Sequence, residues 1–166
     1  MTNQELIRRK QYCQIVKEIT GSDQYLVVGI DVGKDKHHAF MGSATGKSLF
    51  RKLIFENNIG GFSRLLKTGD TIKSQNGLSK IIYGVEPTGN YHKPLASHLI
   101  RCDCNVVLVS GVAVKRNREL LDGRWDKHDT KCAANIADLV SRRRCLYYDS
   151  PSPGIIELRS LLSLRR

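Results

Sequence analysis

Two acidic residues each close an apolar run: "YLVVGID" ends in Asp31, and "KIIYGVEP" carries Glu86 just before a proline. Runs of this length, rich in Val and Ile and without polar alternation, are expected as strands buried on both faces. In open α/β sheets, ligands gather beyond the carboxyl ends of parallel strands. Adjacent strands lie about 4.8 Å apart, so neighbouring strands would bring these two carboxylates to one spot. Like charges that close are tolerable when a cation neutralises them. Hard oxygen donors suit Mg²⁺ or Mn²⁺, which keep several of their waters. A pair of such ions about 4 Å apart activates a nucleophile and stabilises a leaving oxygen in phosphodiester chemistry. Further acids are expected from the polar segment at 126–132, which holds Asp126 and Asp129. The competing readings are a turn cap for Asp31, a solvated acid for Glu86, a helix N-cap for Asp129 and a loop residue for Asp126.

The elements that must position these residues follow from periodicity. Residues 3–20 have loosely helical apolar spacing. Strands are expected over 25–32, 37–44 and 48–55, the last two joined by a turn at "ATGK". A helix over 59–74 precedes the strand 80–87. "GNYHKPLASHLIRC" reads as a helix with Pro94 near its first turn, followed by a strand over 105–110. Residues 112–121 and 131–144 read as helices around a loop at 122–130. "YYDSPSPG" reads as a linker and "IIELRSLLSLRR" as an amphipathic helix. This order implies an α/β fold with a five-stranded mixed sheet and helices on both faces. The expected organisation is an N-terminal helical extension over 1–22, a core domain over 23–148, and a linker with the start of a helix over 149–166. That last helix ends on its own basic face without a cap, so the chain reads as a fragment cut from a longer protein.

Lys and Arg number 27 against 16 acids, a net charge of +11. Such an excess points to a polyanionic partner, foremost nucleic acid. Lys34 and Lys36 follow the first acid, and Lys115, Arg116, Arg118 and Arg124 surround the polar loop. Together they fit a surface that tracks a phosphate backbone with salt-dependent affinity. No base-reading motif is visible. No apolar run approaches the ~20 residues of a membrane span, and there is no secretory signal peptide. With five cysteines, an odd number, the expectation is a cytoplasmic protein with reduced thiols. A zinc site from Cys102, Cys104, Cys132 and His128 lacks the usual paired spacing. His37 and His38 are adjacent in an expected strand, so one faces the covered side, in a structural role.

The segments "GIDVGKDKH", "GVEPTGNYHKPLASHL" and "GRWDKHDTKCAANIADL", in that order, resemble the DEDD transposases of bacterial insertion sequences. That group includes the pilin-gene-inverting recombinase and members guided by a bridge RNA. The resemblance runs over residues 25–150, and its specificity lies in the combination. It implies a RuvC-type domain of ribonuclease-H-like fold, with four acids that bind Mg²⁺ or Mn²⁺. It also implies DNA and a guide RNA as partners, a homo-oligomer, and a C-terminal domain whose serine attacks DNA. This chain stops short of that domain, so it is expected to be inactive alone. Matched by motif, Asp31 corresponds to the first acid. Glu86 corresponds to the second, in an E-x-T-G-x-Y pattern continued by Thr88, Gly89 and Tyr91.

The last two acids belong to a T/S-D-x-x-D-A pattern, and two registers fit. One pairs Asp126 with Asp129. The other begins at Asp129 and puts Cys132 where the final Asp belongs; it also aligns the following "AANIADL" with the family's Ala-rich helix and is preferred. A soft thiol serves a hard cation poorly, so weakened metal binding is expected. A catalytically silent nucleic-acid-binding or assembly module is the alternative. An actin-like ATPase, which also opens with G-I-D-x-G, fits less well: the chain is short for two lobes and lacks a second Asp-x-Gly phosphate loop.

Overall fold

A computed structural model of the chain describes residues 1–121, 129–151 and 153–164. Among them, β1 (Tyr25–Asp31), β2 (Lys36–Ser43), β3 (Ser48–Glu56), β4 (Lys80–Val85), β5 (Asn105–Leu108) and β6 (Leu146–Tyr147) form one sheet. Its order is β3-β2-β1-β4-β5-β6. β1, β4 and β5 run parallel, while β2, β3 and β6 are antiparallel to their neighbours. Six helices accompany them: α1 (Asn3–Glu18), α2 (Ile59–Gln75), α3 (His92–Arg101), α4 (Gly111–Leu121), α5 (Asp129–Ser141) and α6 (Pro153–Ser163).

The central strands are apolar on both sides because both faces are covered. Leu26, Val28 and Ile30 of β1 join Tyr83 and Val85 of β4 in a core closed by Phe62 and Leu65 of α2 and Leu95 and Leu99 of α3. The alternate residues, Tyr25, Val27 and Ile82, pack under Ile15 of α1, Val114 of α4 and Ile136, Ala137 and Val140 of α5. This is the expected α/β class, a ribonuclease-H-like mixed sheet with helices on both faces.

The sheet has six strands where five were expected. β6 lies at the end of the expected core domain, and only its second residue, Tyr147, belongs to the segment read as a linker. Two residues carry no period, so nothing local announces them. Their pairing, Leu108 with Leu146 and Val107 with Tyr147, follows from how α5 ends. Arg143 adopts a left-handed conformation, φ 64°, and the amide of Arg144 donates to Leu139 O at 2.8 Å. The chain therefore turns back sharply onto β5.

α1 begins with a capping box between Thr2 and Glu5. It docks on the same layer as α5: Tyr12 Oη donates to Cys145 O at 2.9 Å, and Arg8 Nη2 donates to Tyr148 O at 2.9 Å. α6 leaves Ile155, Leu158 and Leu162 exposed. No described helix is long and apolar enough to cross a membrane.

Candidate metal centre

The carboxyl ends of β1 and β4 lie side by side. Ile30 pairs with Val85, so Asp31 and Glu86 are the next residues on adjoining strands. The amide of Glu86 donates to Ile30 O at 3.4 Å and continues the ladder. Side chains alternate along a strand, so Asp31 shares a face with Gly29 and Val27, and Glu86 with Gly84 and Ile82. That is the face covered by α5.

Two glycines explain how close α5 comes. Gly29 and Gly84 are register partners, and the helix lies across them. A methyl group on Gly29 would collide with the backbone of Ala133 and stand 2.6 Å from the amide nitrogen of Ala137. One on Gly84 would stand 2.5 Å from Val140 Cγ2 and 3.3 Å from Ile136 Cγ2. Only glycine permits this approach. α5 runs antiparallel to β1, since its last carbonyl, Ser141 O, accepts from Thr20 Oγ1 ahead of that strand.

Four helix residues rise about 6 Å and two strand residues about 6.6 Å, so the two advances are similar. Position 129, one turn before Ala133, therefore lies toward the strand end that carries Asp31. Position 132, one turn before Ile136, lies toward the strand end that carries Glu86. Asp126 and Arg124, like Trp125 and His128, lie outside the described residues.

Glu86 is half-buried. Burial raises its pKa, the charge of Asp31 raises it further, and Arg118 opposes both. Its Oε1 would stand 3.0 Å from a methyl group on Gly111, so the first residue of α4 leaves room for the carboxylate. Arg118, on the same helix, donates from Nη2 to Cys132 Sγ at 2.9 Å. Two asparagines lock α4 to α5. Asn117 Nδ2 donates to Asn135 Oδ1 and, at 3.0 Å, to Asp138 Oδ2. Asn135 Nδ2 donates to Val114 O at 2.7 Å.

The loops beyond the two acids are tied together as well. Asn57 Nδ2 donates to Lys34 O at 3.0 Å and Tyr91 O at 3.4 Å, linking the turn after Asp31 to the one after Glu86. The fully buried His37 accepts from the amide of Gly33 through Nδ1 at 3.2 Å. Burial holds its pKa below the ordinary value, so the ring stays neutral. Lys34, Lys36, Lys115 and Arg116 are exposed, while Arg118 is half-buried.

Cys102 and Cys104 follow α3 ahead of β5, at the end of the sheet opposite Cys132, so the zinc set is not assembled. Burial pushes the Cys104 thiol up to about 11. Among the described residues, no three His, Cys, Asp or Glu converge as metal ligands. The donor chemistry fits one hard cation at Asp31 and Glu86. It does not fit a second at Cys132, whose sulfur already accepts from a guanidinium.

The legible signals that sequence reading passed over are the glycines two residues ahead of each acid, in "GID" and "GVE". Nothing in the sequence announced Asn57 or the Arg118–Cys132 pair.

A ribonuclease-H-like sheet with carboxylates at its central strand ends defines a class of nucleic-acid-processing domains. Within that class, the model of the DEDD transposases of the IS110 type matches residues 28–166. The chain belongs to this transposase family, whose members act on DNA and use divalent metal. A search of curated proteins returned no match.

Proposed function

We propose that residues 23–148 are the metal-binding domain of a cytoplasmic DNA transposase, with Asp31, Glu86 and Asp129 holding one Mg²⁺ or Mn²⁺. The observation that carries the reading is the meeting of Asp31 and Glu86 on adjoining parallel strand ends beneath the start of α5. The second motif register, Asp129 with Cys132, is supported by the run of the first turn of α5 toward those strand ends. When bound, the cation supplies Lewis-acid activation at a phosphodiester oxygen. Asp31 and Glu86 bind and orient it. Burial and the charge of Asp31 raise the pKa of Glu86, so cation binding and proton loss at this group are linked. Asn57 and His37 hold the flanking loops. Lys34, Lys36, Lys115 and Arg116 contact phosphates, and their affinity falls with salt.

DNA cleavage and exchange require, in this reading, that this metal-binding domain work together with the serine of the family's C-terminal domain. A guide RNA fits a basic surface without a base-reading element. The exposed apolar side chains of α6 fit a second copy of the chain. The second reading, a silent binding or assembly module, is favoured by the thiol at 132.

The test is a calorimetric Mn²⁺ titration of the chain and of its Asp31→Asn and Glu86→Gln variants. Each substitution should weaken binding at least about tenfold, the scale reached even by outer-shell partners. Unchanged affinity in both would refute the assignment.

A further inference from the structure

We infer that Arg118 is a built-in counter-charge that covers the fourth position of the centre, Cys132, and makes it a one-cation site. This rests on the reading that Asp31 and Glu86 hold a cation. Arg118 is set apart from the other basic residues of α4. Lys115 and Arg116 face solvent, whereas Arg118 is half-buried with Nη2 2.9 Å from Cys132 Sγ. The same guanidinium acts on the charge of Glu86. Its neighbour Asn117 is buried and bonded to Asn135 and Asp138 of α5, so the helix cannot roll to release the arginine without breaking those bonds.

The consequence is specific. Cys132 stands where the DEDD pattern carries its last acid, and the obvious repair is Cys132→Asp. A carboxylate placed there meets a guanidinium that is always charged and suited to paired hydrogen bonds. It forms an ion pair instead of opening a cation site. Arg118 and Cys132 are therefore one unit, and restoring the acid takes two changes.

The experiment counts Mn²⁺ ions per chain by calorimetry, with thermal unfolding recorded for each metal-free variant. Wild type and Cys132→Asp should each bind one ion. Cys132→Asp with Arg118→Gln should bind two, with Arg118→Met in its place if the glutamine form unfolds early. Cys132→Asp with Arg118→Lys keeps the charge and should return to one. A second ion in wild type, in Cys132→Asp alone or in the lysine form overturns the inference. So does a single ion in both the glutamine and methionine forms, which would leave the metal-centre reading standing. No ion in any form overturns that reading together with this one.

Discussion

Replacing Gly29 with alanine tests the architecture of the centre at its tightest point. The new methyl would stand 2.6 Å from the amide nitrogen of Ala137 and closer still to Ala133 O, against 3.4 Å for ordinary contact. Both neighbours are helix backbone, which has no rotamer to yield. Relieving the Ala137 contact alone takes roughly 0.8 Å, and the tighter one with Ala133 O makes α5 retreat further before the dispersion contacts become attractive again. Overpacking of this kind costs about 1–3 kcal/mol, and backbone collision puts Gly29→Ala near 3 kcal/mol. An alanine in an unobstructed strand would instead gain about 0.5–1 kcal/mol over glycine, so the sign itself is diagnostic. Gly84→Ala is the internal comparison. Its obstacle is Val140 Cγ2, a side-chain methyl that can turn aside, so about 1–2 kcal/mol is expected. Urea unfolding followed by circular dichroism gives both values from the midpoints at constant slope. Mn²⁺ affinity should fall with Gly29→Ala, because the start of α5 is displaced from Asp31 and Glu86. Wild-type or higher stability with unchanged affinity would refute the close seating of α5 on this strand.

Two further outcomes follow from the same geometry. The raised pKa of Glu86 means that the metal-free folded state holds this proton more tightly than the unfolded chain does. The destabilisation from its charge is absent below the ordinary value of 4.5, grows as pH rises to the shifted value, and is complete above it. Glu86→Gln should thus be the more stable form near neutral pH in chelator, with the advantage vanishing in acid; urea titrations across pH read this directly, and an advantage that grows in acid would contradict it. Ile19, just past α1, is only 1% exposed in the core shared with α5. Ile19→Ala should cost about 2–5 kcal/mol in urea unfolding, and a loss under about 0.5 kcal/mol would show that the segment preceding β1 is not part of the core.

Much of the framework was legible because its causes are local. Apolar runs with no polar interruption marked the buried central strands. The 3.6-residue spacing of Phe62, Leu65 and Leu66 marked α2. What escaped notice was short or cooperative. β6 is two residues long, and its place depends on the left-handed turn at Arg143. Arg118 looked like one more member of a basic cluster. Its inward position comes from the Asn117–Asn135 bond, which joins residues far apart in the chain. The four candidate zinc ligands were read by residue type, and the sheet separates Cys102 and Cys104 from Cys132.

By itself, the sequence determined that acids close two buried strands, that a helix begins near residue 130, and that the chain carries the ordered motifs of a DEDD transposase. Strand, helix and motif are properties of contiguous residues, so composition and period suffice to reveal them. Only the tertiary structure decided that β1 and β4 are neighbours in a register pairing Gly29 with Gly84. It also decided that α5 descends onto that pair and brings Cys132 beside Arg118. Those outcomes depend on which surfaces fit together when α5 is pressed against the sheet, and no local pattern of residues carries that information.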